Sequence, residues 1–75
     1  MFGFDRFPHT YDPEADALYV RLGPGPVARQ MTVTPAIIAD LAANGGLVGL
    51  EILDPRHHAE MAARWLASQP MAQPQ

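Results

Sequence analysis

Asn44-Gly45 constrains this chain more than any other pair of residues, because it stands between two apolar runs of strand length, Ala36–Ala42 and Leu47–Leu53. Asn-Gly accepts the positive φ angles of a type I′ turn and is the strongest short-range hairpin signal. With those two residues as the loop, Leu41 faces Val48, Ala39 faces Leu50 and Ile37 faces Ile52. Side chains alternate along a strand with period two, so all six fall on one side of the ribbon. A loop at Gly45-Gly46 changes the pairs but keeps the faces. The opposite side is mixed: Ile38, Asp40, Ala42, Leu47, Gly49, Glu51 and Leu53. Ile38, Leu47 and Leu53 are more apolar than a freely solvated side requires. Either that side or a sheet edge is a dimer or partner surface, or neighbouring loops cover it.

Prolines divide the rest of the chain. Pro13, Pro24, Pro26, Pro35 and Pro55 bracket apolar stretches, and a residue without a ladder donor belongs at a strand boundary or turn. Ala17–Leu22 and Val27–Thr34 join the two runs above as four strands, with a shorter fifth around His9–Asp12. Gly23-Pro24-Gly25-Pro26 reads as a tight connector between the first two of the four. Leu18, Val20 and Leu22 share one face, Tyr19 and Arg21 the other. On the return strand Val27, Met31 and Val33 share parity with Arg29, so the strand is an edge or Arg29 meets a carboxylate. Asp54 is a favoured N-cap and Pro55 suits a first helical position. His58, Met61, Ala62, Trp65 and Leu66 then recur as one apolar stripe, with Trp65 packing on the sheet. Pro70 ends the helix. The fold class predicted is α+β: a small antiparallel sheet, a meander of four or five strands, with one C-terminal helix on one face. Residues 1–8 are a lead-in, 9–69 the domain and 70–75 a disordered tail.

A chain of 75 residues buries only about 60% of the surface it exposes when unfolded. Domains this small are commonly reinforced by disulfides, a metal or a partner subunit. There is no cysteine, which removes disulfides, thiolate zinc sites and iron–sulfur clusters together. A homodimer or other homo-oligomer is therefore the expected reinforcement. The formal charge is −3, and the five basic residues, Arg6, Arg21, Arg29, Arg56 and Arg64, are scattered. Without a basic patch to displace counterions, no nucleic-acid partner is expected. No apolar run approaches the ~20 residues needed to span a bilayer, and no basic segment followed by an apolar one opens the chain. The expectation is a cytoplasmic protein with no membrane partner.

Chemistry-bearing residues are few. Cysteine and lysine are absent and the only serine is Ser68, so nothing supports nucleophilic catalysis. Asp40 and Glu51 are diagonal neighbours on the mixed face, at a spacing of roughly 7–8 Å. Such a pair can share a proton, hold a metal through oxygen, or act as acid and base. The plainer reading is that Arg21 or Arg29 neutralises them or that both are solvated. Tyr19, Arg21 and Arg29 are the surface partners the pattern supplies. Asp12-Pro13-Glu14-Ala15-Asp16 fails as a calcium loop, since Ala17 stands at its sixth position and Gly23 where the closing glutamate belongs. Asp12 instead caps a turn that Pro13 opens, and Asp16 leads into the strand. His57 and His58 diverge by about 100° on a helix, so they do not share a metal, and His58 is a packed histidine on the stripe. Neither a cofactor nor a metal is expected.

The run Tyr11-Asp12-Pro13-Glu14-Ala15-Asp16-Ala17-Leu18-Tyr19-Val20-Arg21-Leu22, with Val27-Ala28-Arg29 and Leu47-Val48-Gly49-Leu50-Glu51-Ile52-Leu53-Asp54, resembles the bacterial family catalogued as domain of unknown function 2283. The resemblance spans roughly Thr10 to Asp54. Where such sequences often read Asp-Leu-Asp before the turn, this one has Asp40-Leu41-Ala42. The resemblance implies a small β-rich cytosolic domain with no established activity, and members that sit beside toxin-like genes imply an antitoxin-like role. The function expected from the residues is a non-enzymatic protein-interaction or self-associating module. The alternative is a small metal-dependent or acid/base enzyme using Asp40 and Glu51. The weaker one is an antitoxin-like regulator of a neighbouring protein.

Overall fold

β-branched and aromatic residues in alternating runs, cut by proline and glycine, set the strands. A computed structural model, describing residues 2–69, has β1 (His9–Asp12), β2 (Ala17–Arg21), β3 (Arg29–Thr34), β4 (Ile37–Leu41), β5 (Leu47–Leu53) and α1 (Pro55–Ala67). All strands pair antiparallel in one open sheet of order β1-β2-β5-β4-β3. This is the α+β fold the sequence predicts, with the fifth strand present. The tail expected from residue 70, and Pro70 as the helix stop, lie outside the described residues.

One connection runs differently from the reading of the sequence. β2 and β3 do not pair: Gly23-Pro24-Gly25-Pro26 carries the chain past the ends of β5 and β4 to the far edge. The backbone amides of Leu22 and Gly23 both donate to the Val48 carbonyl, at 2.8 and 3.2 Å, and Ala28 N–H donates to the Leu41 carbonyl at 2.7 Å. Glycine is required at the first step, since a β-carbon on Gly23 would lie 2.5 Å from the Leu47 carbonyl oxygen. β5 thereby becomes the central strand and β3 an edge, as the exposure of Arg29 implies.

The hairpin β4–β5 forms where Asn44-Gly45 places it, but its loop has three residues. Ala42 N–H donates to the Gly46 carbonyl and Gly45 N–H to the Ala42 carbonyl, while Gly45 alone in the loop takes a positive φ, 88°. This is a three-residue hairpin closed by a left-handed glycine, not a type I′ turn. The extra residue shifts Leu41 opposite Leu47 in place of Val48, and a bulge between Asp40 and Leu41 restores the register. Ile37 then pairs with Ile52 and Ala39 with Leu50, as expected. All six apolar residues of that face are buried. Leu47, opposite Leu41, packs against the core and so leaves the mixed face to which simple alternation assigns it.

The core lies between this face and α1. Leu18, Val20, Ile37, Ala39, Leu50 and Ile52 meet Ala59, Ala62 and Leu66 of the helix. The buried stripe of α1 is Pro55, Ala59, Ala62 and Leu66, rotated from the stripe read in the sequence: Met61 is 53% exposed, and Trp65 packs only at the margin. The lead-in supplies the remainder. Phe4 is 1% exposed and belongs to the same cluster, with Phe7 beside it. Asp54 stands at the N-cap with φ 47° and no side-chain cap bond. Its carboxylate takes the His57 Nδ1 at 2.8 Å in place of the expected backbone amides. His58 Nδ1 donates to the carbonyls of Leu53 and Asp54, at 2.9 and 3.1 Å, and ties the first turn to the end of β5. Among the described residues, no helix is long and apolar enough to cross a membrane.

Candidate functional site

With α1 on one face, the other face of the sheet is open among the described residues. Its side chains follow from strand order and alternation. One row across the sheet is Arg21, Gly49, Asp40 and Gln30, on β2, β5, β4 and β3. The next is Thr10, Tyr19, Glu51, Ile38 and Thr32, and Leu53 pairs with Ala17 beyond it.

Asp40 is the one buried charged residue among those described, at 7% exposure. A buried carboxylate is tolerated only when donors replace the lost water. Gln30 Nε2 donates to its Oδ1 at 2.8 Å. The Tyr19 hydroxyl approaches it from the other side, across Gly49. A β-carbon on Gly49 would collide with that hydroxyl and lie 2.5 Å from the ring carbon Cζ. Gly49 is therefore the gap through which the ring crosses β5, and a tyrosine, an aspartate and a glutamine from three strands form one polar cluster. Burial pushes the Tyr19 phenol above its ordinary 10.0, and the neighbouring Asp40 charge adds to the rise, while Arg21 opposes it.

Around this cluster lie the other residues singled out in the sequence. Arg21 is exposed, and its Nη2 donates to the Gly25 carbonyl at 2.9 Å. Glu51 is half-buried between Tyr19 and Ile38. Among the described residues, its carboxylate has neither a hydrogen bond nor an ion pair. Among the described residues, neither Asp40 nor Glu51 has an ion pair with an arginine: Arg29 is exposed on the β3 edge with its guanidinium over the β4–β5 loop, 4.0 Å from the β-carbon position of Gly45. Asp40 and Glu51 share a face as predicted, but their surroundings differ, one enclosed by donors and one unpartnered. Among the described residues, no group of three or more His, Cys, Asp or Glu side chains is placed to hold a metal ion.

A second polar region lies where the β1–β2 turn meets the start of α1. Asp12 caps that turn as expected, accepting the amides of Glu14 and Ala15 at 3.0 and 3.4 Å. Phe2, Tyr11, Pro13, Asp16, Asp54, Arg56 and His57 line a cleft of about 420 Å³. Phe2, Asp16 and Asp54 are also, among the described residues, the three non-glycine residues with positive φ. Tyr11 donates to Asp16 at 2.6 Å, and that bond chiefly raises the Tyr11 pKa.

Gln30 and Gly49 are the site residues that the sequence reading missed. A glycine inside a strand pattern marks a bulge or a close approach, so Gly49 had a signal. Gln30 had none until β3 was known to lie beside β4.

The model of the family described as "Protein of unknown function (DUF2283)" matches residues 9–55, the stretch from β1 to the start of α1. No curated protein and no solved structure matches the chain.

Proposed function

Because the chain belongs to the family of proteins of unknown function DUF2283, whose description names no activity, we propose a function from geometry: a non-enzymatic module that associates with another protein chain, first of all a second copy of itself. One observation carries this reading. Among the described residues, the sheet has five strands and a helix on one side only, so the other face exposes Leu53 and half-exposes Ile38, Tyr19 and Glu51. A small domain with one thin core gains most from covering such a face. Light scattering across protein concentration is the test. A mass that rises toward the dimer supports the reading, and a monomer throughout removes it.

The burial of Asp40 favours a second reading, an acid/base or metal-dependent enzyme using Asp40 and Glu51. Elemental analysis addresses the metal-dependent form: stoichiometric metal, lost in a folded Asp40→Asn variant, supports it, and metal-free folded protein counts against it. An antitoxin-like role in the cytoplasm uses the same open face on a small partner protein, and is tested by co-expression with the adjacent gene product.

A further inference from the structure

We propose that the open face is the contact between two copies of this chain, related by a two-fold axis so that Arg21 of each meets Glu51 of the other. This rests on the self-associating reading above and adds the surface and the charged contact.

Among the described residues, neither Glu51 nor Arg21 of this face has an ion pair. Glu51 is half-buried, and among the described residues its carboxylate has no hydrogen bond or ion pair. Removing a carboxylate from water without a partner is unfavourable, and a second chain supplies the partner. Arg21 is exposed on the adjacent strand, opposite Gly49 and two residues along from the position facing Glu51. Its Nη2 donates to the Gly25 carbonyl and the guanidinium stands beside the Tyr19 hydroxyl, but a guanidinium has further donors in its fork. Diagonal neighbours in a sheet lie roughly 7–8 Å apart at the backbone, so the two opposite charges stand side by side.

A surface that carries both members of an ion pair as unpaired neighbours is its own complement. A two-fold rotation brings Arg21 over the partner's glutamate and Glu51 over the partner's arginine, forming the pair twice. Face-to-face sheets pack about 10 Å apart, which an arginine and a glutamate span together. Ile38, in the same row as Glu51, and Leu53, two residues further along β5, supply apolar contact beside the pairs. Of the two sheet edges, β1 and β3, the β3 edge is the longer competing surface. It offers only Arg29–Thr32 before its register shifts at Thr32/Thr34, and it has no acidic residue to meet Arg29.

Charge reversal tests the contact. Wild-type protein, Arg21→Glu, Glu51→Arg and the double variant are compared by sedimentation velocity over micromolar to millimolar concentration, with circular dichroism to confirm folding. Each single reversal sets like charges against each other twice, so its dimer dissociation constant should rise about tenfold or more. The double variant, and an equimolar mixture of the two single variants, should return to near the wild-type value. Should Arg21→Glu fail to fold without its bond to Gly25, Glu51→Arg and Glu51→Gln keep the test, with the charge reversal weakening the dimer more than the neutral change. A wild-type dimer indifferent to these reversals but abolished by Met31→Lys overturns the inference and leaves self-association standing at the β3 edge. Folded single variants that dimerise poorly but are not rescued by the swap also overturn it. A wild-type protein that is monomeric throughout overturns both.

Discussion

Asp40, Tyr19 and Gly49 illustrate how one small residue decides what two larger ones do. The tyrosine reaches the aspartate only because Gly49 leaves the space above β5 empty. Gly49→Ala is expected to cost about 1–3 kcal/mol by overpacking. The cost should shrink in a Tyr19→Ala background, as urea denaturation of the double-mutant cycle would measure. The Tyr19 phenol also gives a pH signature. Its pKa is raised in the folded protein from 10.0, so the folded state binds the proton more tightly than the unfolded chain does. That contribution to stability is complete below pH 10 and is lost as pH climbs through the folded pKa. Stability above pH 10 should fall less steeply in Tyr19→Phe than in the wild type. Some slope will persist, because Tyr11 is raised too, chiefly by its bond to Asp16.

At the level of elements, the hairpin loop and the helix start both carry left-handed backbone. Gly45 holds φ at 88°, and an L-residue there strains the turn by roughly 1–2 kcal/mol. Gly45→Ala should lower the thermal midpoint, whereas Asn44→Ala loses only the bond from Gly46 N–H to its side chain at 2.8 Å and should cost less. The helix is oriented by small residues, since Ala59 and Ala62 let α1 lie close to the sheet. That close approach turns Met61 outward and keeps Trp65 at the margin.

For the whole molecule, the N-terminal segment is a structural part and not an appendage. Phe4 is among the largest fully buried side chains, and truncating a buried phenylalanine costs about 3–5 kcal/mol. In a domain of this size that is a large share of total stability. Phe4→Ala should therefore unfold much of the protein at room temperature, as circular dichroism in mild denaturant would detect. The helix covers one face and Phe4 and Phe7 extend that cover, which leaves the second face to water or to another chain.

Local pattern was enough for the strands, the hairpin, the helix and the buried face. Ile37, Ala39, Leu50 and Ile52 pair as alternation requires, because period and turn chemistry are properties of short stretches. Sequence also put Asp40 and Glu51 on one face. It did not contain the path of the chain from β2 to the far edge, since a Gly-Pro-Gly-Pro segment serves a hairpin or a crossing equally well. From that path follow the Gln30 bond to Asp40, the crossing of Tyr19 over Gly49 and the isolation of Glu51. Contacts between strands distant in sequence depend on which strands become neighbours, and only the packed tertiary structure decides that.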